Sequence, residues 1–185
     1  MLRQLLLILA IIGFSGCATY DAPNYSPNYE TIDQVKKIRA DRFSVATVQP
    51  TDPEAKVNKI SLRGASLKSQ SGTFSKYLEN ALISDLTELG FYDASSDARI
   101  HVNILKNEID VSGLSKGTGI LAANVKVIKG GTVSLDKDYT ASTQFESSFA
   151  GAVAIPKGQT EYPNLVRAFL SHVYSDQSFV EAIKK

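Results

Sequence analysis

Residues 73–90 read Thr73-Phe-Ser-Lys-Tyr-Leu-Glu-Asn-Ala-Leu-Ile-Ser-Asp-Leu-Thr-Glu-Leu89-Gly90, and shortly afterwards residues 98–104 read Ala98-Arg-Ile-His-Val-Asn-Ile104. In the first stretch Phe74, Tyr77, Leu78, Ala81, Leu82, Leu86 and Leu89 recur at three- and four-residue spacing. That is the broad apolar stripe of a helix lying on a surface. Ser71 or Thr73 suits the cap at its start, and Gly90 suits the left-handed residue past its end. The charges oppose the helix dipole, with Lys76 early and Asp85 and Glu88 late, at about 0.3–1 kcal/mol each. Burial of the stripe must outweigh that cost. In the second stretch the period falls to two, with Ala98, Ile100, Val102 and Ile104 alternating against Arg99, His101 and Asn103, as in a half-buried strand. A helix that needs a surface, followed by strands that supply one, points to an α+β fold.

The alternation continues outward. Ile109 and Val111 carry the apolar parity on odd numbers, so a bulge or bend is expected near Lys106-Asn107. Ser112-Gly113 to Gly117-Thr118-Gly119 reads as a turn. Leu121, Ala123, Val125 and Val127 then share one face, and Lys129-Gly130-Gly131 makes a hairpin. The partner strand sets Val133, Leu135, Tyr139, Ala141, Thr143 and Phe145 against a wholly polar face, so one side of the sheet meets water. Upstream, Phe43–Val48 reads as a first strand, broken by Gln49 to Pro53, and Lys59–Arg63 as a short second strand before a Gly64 turn. Downstream, a last long helix is expected from Glu161-Tyr162-Pro163, where proline suits the first turn. Tyr162, Leu165, Val166, Phe169, Leu170 and Val173 form its inward stripe. A short terminal helix restarts at Ser175-Asp176 with Phe179, Val180 and Ile183 inward. The expected fold is α+β: a two-layer sandwich, an antiparallel sheet of about four strands with two main helices packed on one face.

The N-terminus carries a different kind of information. Arg3 precedes an apolar run, Leu5 to Ile12, and Gly13-Phe14-Ser15-Gly16 leads into Cys17, the one cysteine of the chain. A positive start, a short apolar run and small residues at the cleavage point make a secretory signal. The run is shorter than the ~20 apolar residues that span a bilayer. Ser15-Gly16-Cys17 resembles the lipobox of bacterial lipoproteins, with Phe14 in place of the usual leucine. The resemblance implies that Cys17 is lipidated and becomes the first mature residue, and Ala18 after it implies export to the outer membrane. Three segments follow: 1–16 a cleaved signal peptide, 17–42 the lipidated cysteine and a tether, and 43–185 a single periplasmic domain. Residues 18–31, rich in Pro, Asn, Ser and Tyr, are expected to be a solvated linker. Tyr20, Tyr25 and Tyr29 could alternatively sit among headgroups. Ile32, Val35 and Ile38 mark a short amphipathic stretch whose Lys36, Lys37, Arg39 and Arg42 read as a solvated face.

Composition narrows the function. The chain has 20 Lys+Arg against 19 Asp+Glu, which gives no electrostatic reason to expect nucleic acid. Two histidines, His101 and His172, are present without metal-ligand spacing, so no zinc site is expected. There is no Gly-x-Ser-x-Gly elbow; Ser-His-Asp arrangements assemble in space, and sequence alone is silent on them. Gly117-Thr118-Gly119 and Gly130-Gly131 lack the lysine and spacing of a phosphate loop. Asp136 and Asp138 share a polar strand face that is short of the six to eight oxygens calcium takes. No cofactor, no metal and no catalysis are expected. One segment stands apart: Glu146-Ser-Ser-Phe-Ala-Gly-Ala-Val-Ala-Ile-Pro156 is small and apolar where loops are normally polar. Phe149, Val153 and Ile155 are its candidate contact residues, either in a buried connection or in a patch that docks a partner or lipid.

Phe74-Ser-Lys-Tyr-Leu78, the Leu89-Gly90 helix end, Ser147 to Pro156 and the tail Ser175-Asp-Gln-Ser-Phe179 resemble a group of poorly characterised Gram-negative lipoproteins. The layout is also similar to YajG-type lipoproteins and to auxiliary lipoproteins of envelope transport systems with an LptE-like fold. The resemblance covers Leu62 to Lys185. It implies a non-enzymatic accessory or binding subunit, anchored on the periplasmic face of the outer membrane, with an envelope protein partner and with lipid as a second candidate partner. The alternative is a periplasmic carrier of lipid or a small hydrophobic ligand.

Overall fold

A computed structural model describes residues 18–185. Cys17 and the expected signal peptide lie outside the described residues. The elements are β1 (Thr19–Asp21), α1 (Tyr29–Val35), β2 (Ser44–Val45), β3 (Ile60–Leu62), β4 (Ala65–Lys68), α2 (Phe74–Leu89), β5 (Arg99–Asp110), β6 (Lys116–Lys129), β7 (Thr132–Glu146), α3 (Gly151–Ser175) and α4 (Gln177–Ile183). They form a four-stranded sheet in the order β2-β5-β6-β7 and a three-stranded sheet in the order β1-β4-β3. The helices cover the apolar face of the larger sheet, giving an α+β body compatible with a two-layer sandwich.

Helix α2 forms as its spacing dictates. Thr73 caps it by accepting from Lys76 N, and Gly90 closes it at φ 76°. Its buried ring residues meet α3, with Phe74 and Tyr162 centroids 4.6 Å apart and Tyr77 and Tyr162 5.1 Å apart. Two of its acidic residues have partners elsewhere: Glu79 accepts from Val48 N at 3.0 Å, and Asp85 from Tyr25 Oη. The β5-β6-β7 meander pairs antiparallel throughout. The expected bulge falls at Leu105, where the β5 register shifts between Ile104 and Lys106. The β6–β7 hairpin turns at Gly130-Gly131.

Four expectations are corrected. The first strand is shorter than Phe43–Val48 and runs parallel to β5, pairing Ser44 with Arg99 and Val45 with Ile100. A parallel neighbour needs a crossover, and α2 lies in the one between them. The stretch from 59 to 63 pairs with β4 in the second sheet. Gly117 and Gly119 lie inside β6 rather than in a turn, because the packing leaves no room for a side chain there. A Cβ on Gly119 would stand 2.8 Å from Thr143 Oγ1 and 3.2 Å from Leu165 Cδ2. Finally, the long helix starts at Gly151, ten residues ahead of the expected Glu161, and Pro156 and Pro163 lie within it. Fully buried Ala154, and Gly158 against Leu62, Ile109 and Val111, bind this first part to the core. That packing outweighs the i→i−4 bond missing at Pro163.

The N-terminal segment also departs from expectation. Residues 19–21 are a parallel edge strand on β4, registering Thr19 with Ser66 and Asp21 with Lys68. Ala22, Ile32 and Val35 are buried in the core. The solvated linker is thus a strap along the body.

Candidate functional site

At one end of the large sheet, β5 closes at Asp110, β6 opens at Lys116 and β7 ends at Glu146, which pairs with Lys116. The loops at 111–115 and 147–150 therefore lie side by side, and Ser147 N donates to Ser115 O at 2.8 Å. Arg63 ties them together. It sits in the β3–β4 turn with φ 52°, followed by Gly64 at φ 85°. A two-residue turn with both φ positive matches strand twist, which glycine adopts freely and arginine does at some cost. Its guanidinium is committed to four carbonyls. Nε donates to Val111 O at 2.8 Å, Nη2 to Gly113 O at 3.2 Å and Ser148 O at 3.0 Å, and Nη1 to Phe149 O.

This bracket holds up an apolar tip. Phe149 is 76% exposed and Leu114 73% exposed, and Val153 on the first turn of α3 is 46% exposed. Ile155 turns the other way and packs, half-buried, against the core. Of the three sequence candidates, Phe149 and Val153 share the exposed tip and Ile155 supports it from behind. Sequence reasoning missed Leu114 and Arg63. An apolar residue in the turn Ser112-Gly113-Leu114-Ser115 was the available signal for the first; nothing local signals the second, whose contacts lie 48 to 86 positions away. Lys116 and Lys157 flank the tip, the latter 3.4 Å from Glu146. Asp110 is held below the usual carboxylate range by the hydroxyl and backbone N–H of Ser112.

The strap leads to the same end. Along α3, Gln159 Nε2 donates to Asp21 O at 2.7 Å, Arg167 Nη1 to Ser26 O at 3.2 Å, and Ser171 Oγ meets Thr31 Oγ1 at 2.9 Å. Rising numbers match on both, so strap and helix run in one direction. Traced backward from Asp21, the strap heads for the first turns of α3. Ala18 O accepts from Ser66 N at 2.9 Å, three residues from Arg63.

Midway, the strap is fastened by a buried carboxylate. Tyr25 Oη lies 3.0 Å from both oxygens of Asp85, and Tyr77 Oη donates to Pro23 O at 2.7 Å. Asp85 is 2% exposed. Burial pushes its pKa up to about 6 against the opposing pull of the Tyr25 bond. The Tyr174 hydroxyl is buried without a hydrogen bond, near enough to Asp85 to favour its charged form.

The histidines do not converge on a nucleophile. His172 is exposed, with Nδ1 3.0 Å from Thr140 O and its ring edge-on to Tyr139 at 5.8 Å. Among the described residues no hydrogen bond or ion pair joins either histidine to a serine or carboxylate. Asp136 and Asp138 share Asn124 Nδ2, 2.9 Å from each, and Lys126 pairs with Asp136 at 2.9 Å. Lys126 first, then Asn124, lowers the Asp136 pKa. Among the described residues no cluster of three His, Cys, Asp or Glu side chains could hold a metal ion. No helix of theirs is long and apolar enough to cross a membrane. The apolar space under α2, α3 and α4, lined by Leu78, Val125, Phe169 and Phe179, measures about 10 Å³, the lower limit for one water molecule. A larger open groove of about 610 Å³ between the strap and α3 is lined by Asn28, Asn164, Arg167 and Ser171 together with Pro27 and Tyr29.

With this geometry in view, the fold can be set beside solved structures. The crystal structure of protein XCC0632 from Xanthomonas campestris, of the DUF330 family, superposes with a TM-score of 0.59 at 14% identity, covering 85% of this chain and 95% of that one. The two share a fold. A second solved structure, of an uncharacterized protein, reaches a TM-score of 0.42 at 11% identity over 81% of this chain and 96% of its own. No family's sequence profile matches the chain, and no curated protein does. At such identity the likeness concerns the fold alone, and nothing in it assigns a residue a role.

Proposed function

We propose that this chain is a lipid-anchored, non-enzymatic accessory protein of the Gram-negative cell envelope. It is acylated at Cys17 and held on the periplasmic face of the outer membrane, where its domain binds an envelope protein partner in an assembly or transport process. The observation that carries this reading is the placement of Ser15-Gly16-Cys17, with a short apolar run before it, two residues ahead of a folded strand. A signal-like segment joined directly to a compact body suits a cleavage at Cys17 that leaves the body intact. Two or more acyl chains give stable anchoring, at about 0.8 kcal/mol per buried methylene. The scattered histidines, and an Asp85 held by Tyr25 of the strap, support a binding rather than a chemical role. A carrier would need a site other than the space lined by Leu78, Val125, Phe169 and Phe179, which at about 10 Å³ is too small for an acyl chain.

The test is labelling with a radioactive fatty acid followed by fractionation of the envelope. The natural protein is expected to take up label and to travel with the outer membrane. A Cys17→Ala variant is expected to lose both label and outer-membrane location. Unchanged fractionation of that variant would sink the reading.

A further inference from the structure

We propose that the tip formed by Leu114, Phe149 and Val153 is a membrane-docking surface. It inserts among the lipids beside the N-terminal anchor, so that the domain rests on the bilayer by this end. The proposal rests on the reading of Cys17 as lipidated.

Three observations carry it. The first is exposure: among the six large apolar side chains left exposed in the described residues, these three share one end, while Val133 stands just past the hairpin turn at the opposite end. The second is where the chain leads. The strap runs with α3, and its first described residue bonds to Ser66, beside the turn whose Arg63 grips Phe149. Cys17 is one residue further, and a residue spans at most about 3.6 Å. Acyl chains on Cys17 therefore enter the bilayer next to the tip and bring the lipid surface to it. The third is rigidity: four carbonyl bonds from Arg63 hold both loops in place, so little conformational freedom is lost on docking.

The chain has no tryptophan, which makes a single introduced indole a position-specific probe. Full-length Phe149→Trp, Leu114→Trp and Val133→Trp variants, expressed in cells and purified with their N-terminus processed, are reconstituted into phosphatidylethanolamine–phosphatidylglycerol vesicles. Part of the lipid is brominated on its acyl chains near the depth of about 5–10 Å reached by interfacial segments. Circular dichroism checks that each variant folds, and mass spectrometry checks acylation at Cys17. The Phe149→Trp and Leu114→Trp proteins are expected to emit at shorter wavelength in vesicles than in detergent-free buffer and to lose most of that emission to brominated lipid. The Val133→Trp protein is expected to do neither. Acylated protein whose Phe149→Trp and Leu114→Trp probes respond no more than Val133→Trp overturns the docking proposal and leaves the anchoring reading standing. A shift to shorter wavelength without quenching means that a protein contact covers the tip, which also overturns it. Absence of acylation overturns the anchoring reading, and with it the placement of the tip beside an anchor.

Discussion

Replacement of Asp85 by asparagine removes a charge buried under the strap while keeping its shape and an oxygen for Tyr25. The Asp85 pKa rises from 3.8 to about 6 on folding, chiefly through burial. A group whose pKa is raised in the folded state binds more protons there than in the unfolded chain. Its contribution to stability is therefore complete below pH ~4 and is lost as the pH rises through about 6. At about 1.4 kcal/mol per unit, the loss amounts to about 3 kcal/mol. Other carboxylates work in the opposite direction: Asp110, Asp136 and Asp176 have lowered values and weaken the fold only as the pH falls. The comparison of natural and Asp85→Asn proteins isolates Asp85 from them. Urea unfolding of both full-length proteins between pH 4 and 8 is the assay. With a slope of about 2 kcal/mol per molar, the Asp85→Asn midpoint should gain roughly 1–1.5 M on the natural one across that range. The gain should concentrate between about pH 4 and 6, the window set by the ordinary and shifted values. Midpoint curves that stay parallel from pH 4 to 8 would refute the assignment of a raised Asp85 pKa.

Two further outcomes follow from the packing. Gly158→Ala should destabilise by about 1–2 kcal/mol although alanine favours helices, because its Cβ would come 2.7 Å from Val111 Cγ1 and 3.2 Å from Leu62 Cδ2; a thermal midpoint equal to or above that of the natural protein would contradict the close α3–sheet contact. Arg63→Ala releases the carbonyls of Val111, Gly113, Ser148 and Phe149, so limited chymotrypsin digestion should cut after Phe149 several-fold faster, as it does at loosened loop tips; an unchanged cutting rate would show that the tip is rigid without the bracket.

Local pattern carried the parts of this fold that are locally determined. Helix α2 was legible because its stripe, its Thr73 cap and its Gly90 end all lie within eighteen residues. The β6–β7 meander was legible because alternation and a Gly-Gly turn are properties of adjacent residues. The start of α3 was not legible, because Pro163 and Gly158 look like a boundary unless Leu62 and Val111 are known to pack against Gly158. The strap was missed for a related reason. Its Pro, Asn and Ser content is that of a solvated linker, and what holds it down is Asp85, Gln159 and Arg167, 60 or more positions away. The candidate site divides the same way: Phe149 and Val153 stand out as apolar excess in the sequence, while Leu114 joins them only through a bracket that originates at Arg63.

The strap also sets a length. Had residues 17–42 been a flexible coil, a 26-residue leash would have let the domain wander about 25–30 Å from its point of attachment. With β1 zipped onto β4 from Thr19 onward, that freedom shrinks to the one or two residues before it, a few ångströms. Whatever holds residue 17 then holds the entire body in one narrow range of positions and tilts. Under the proposed anchoring at Cys17, a partner would have to come within touching distance of that spot.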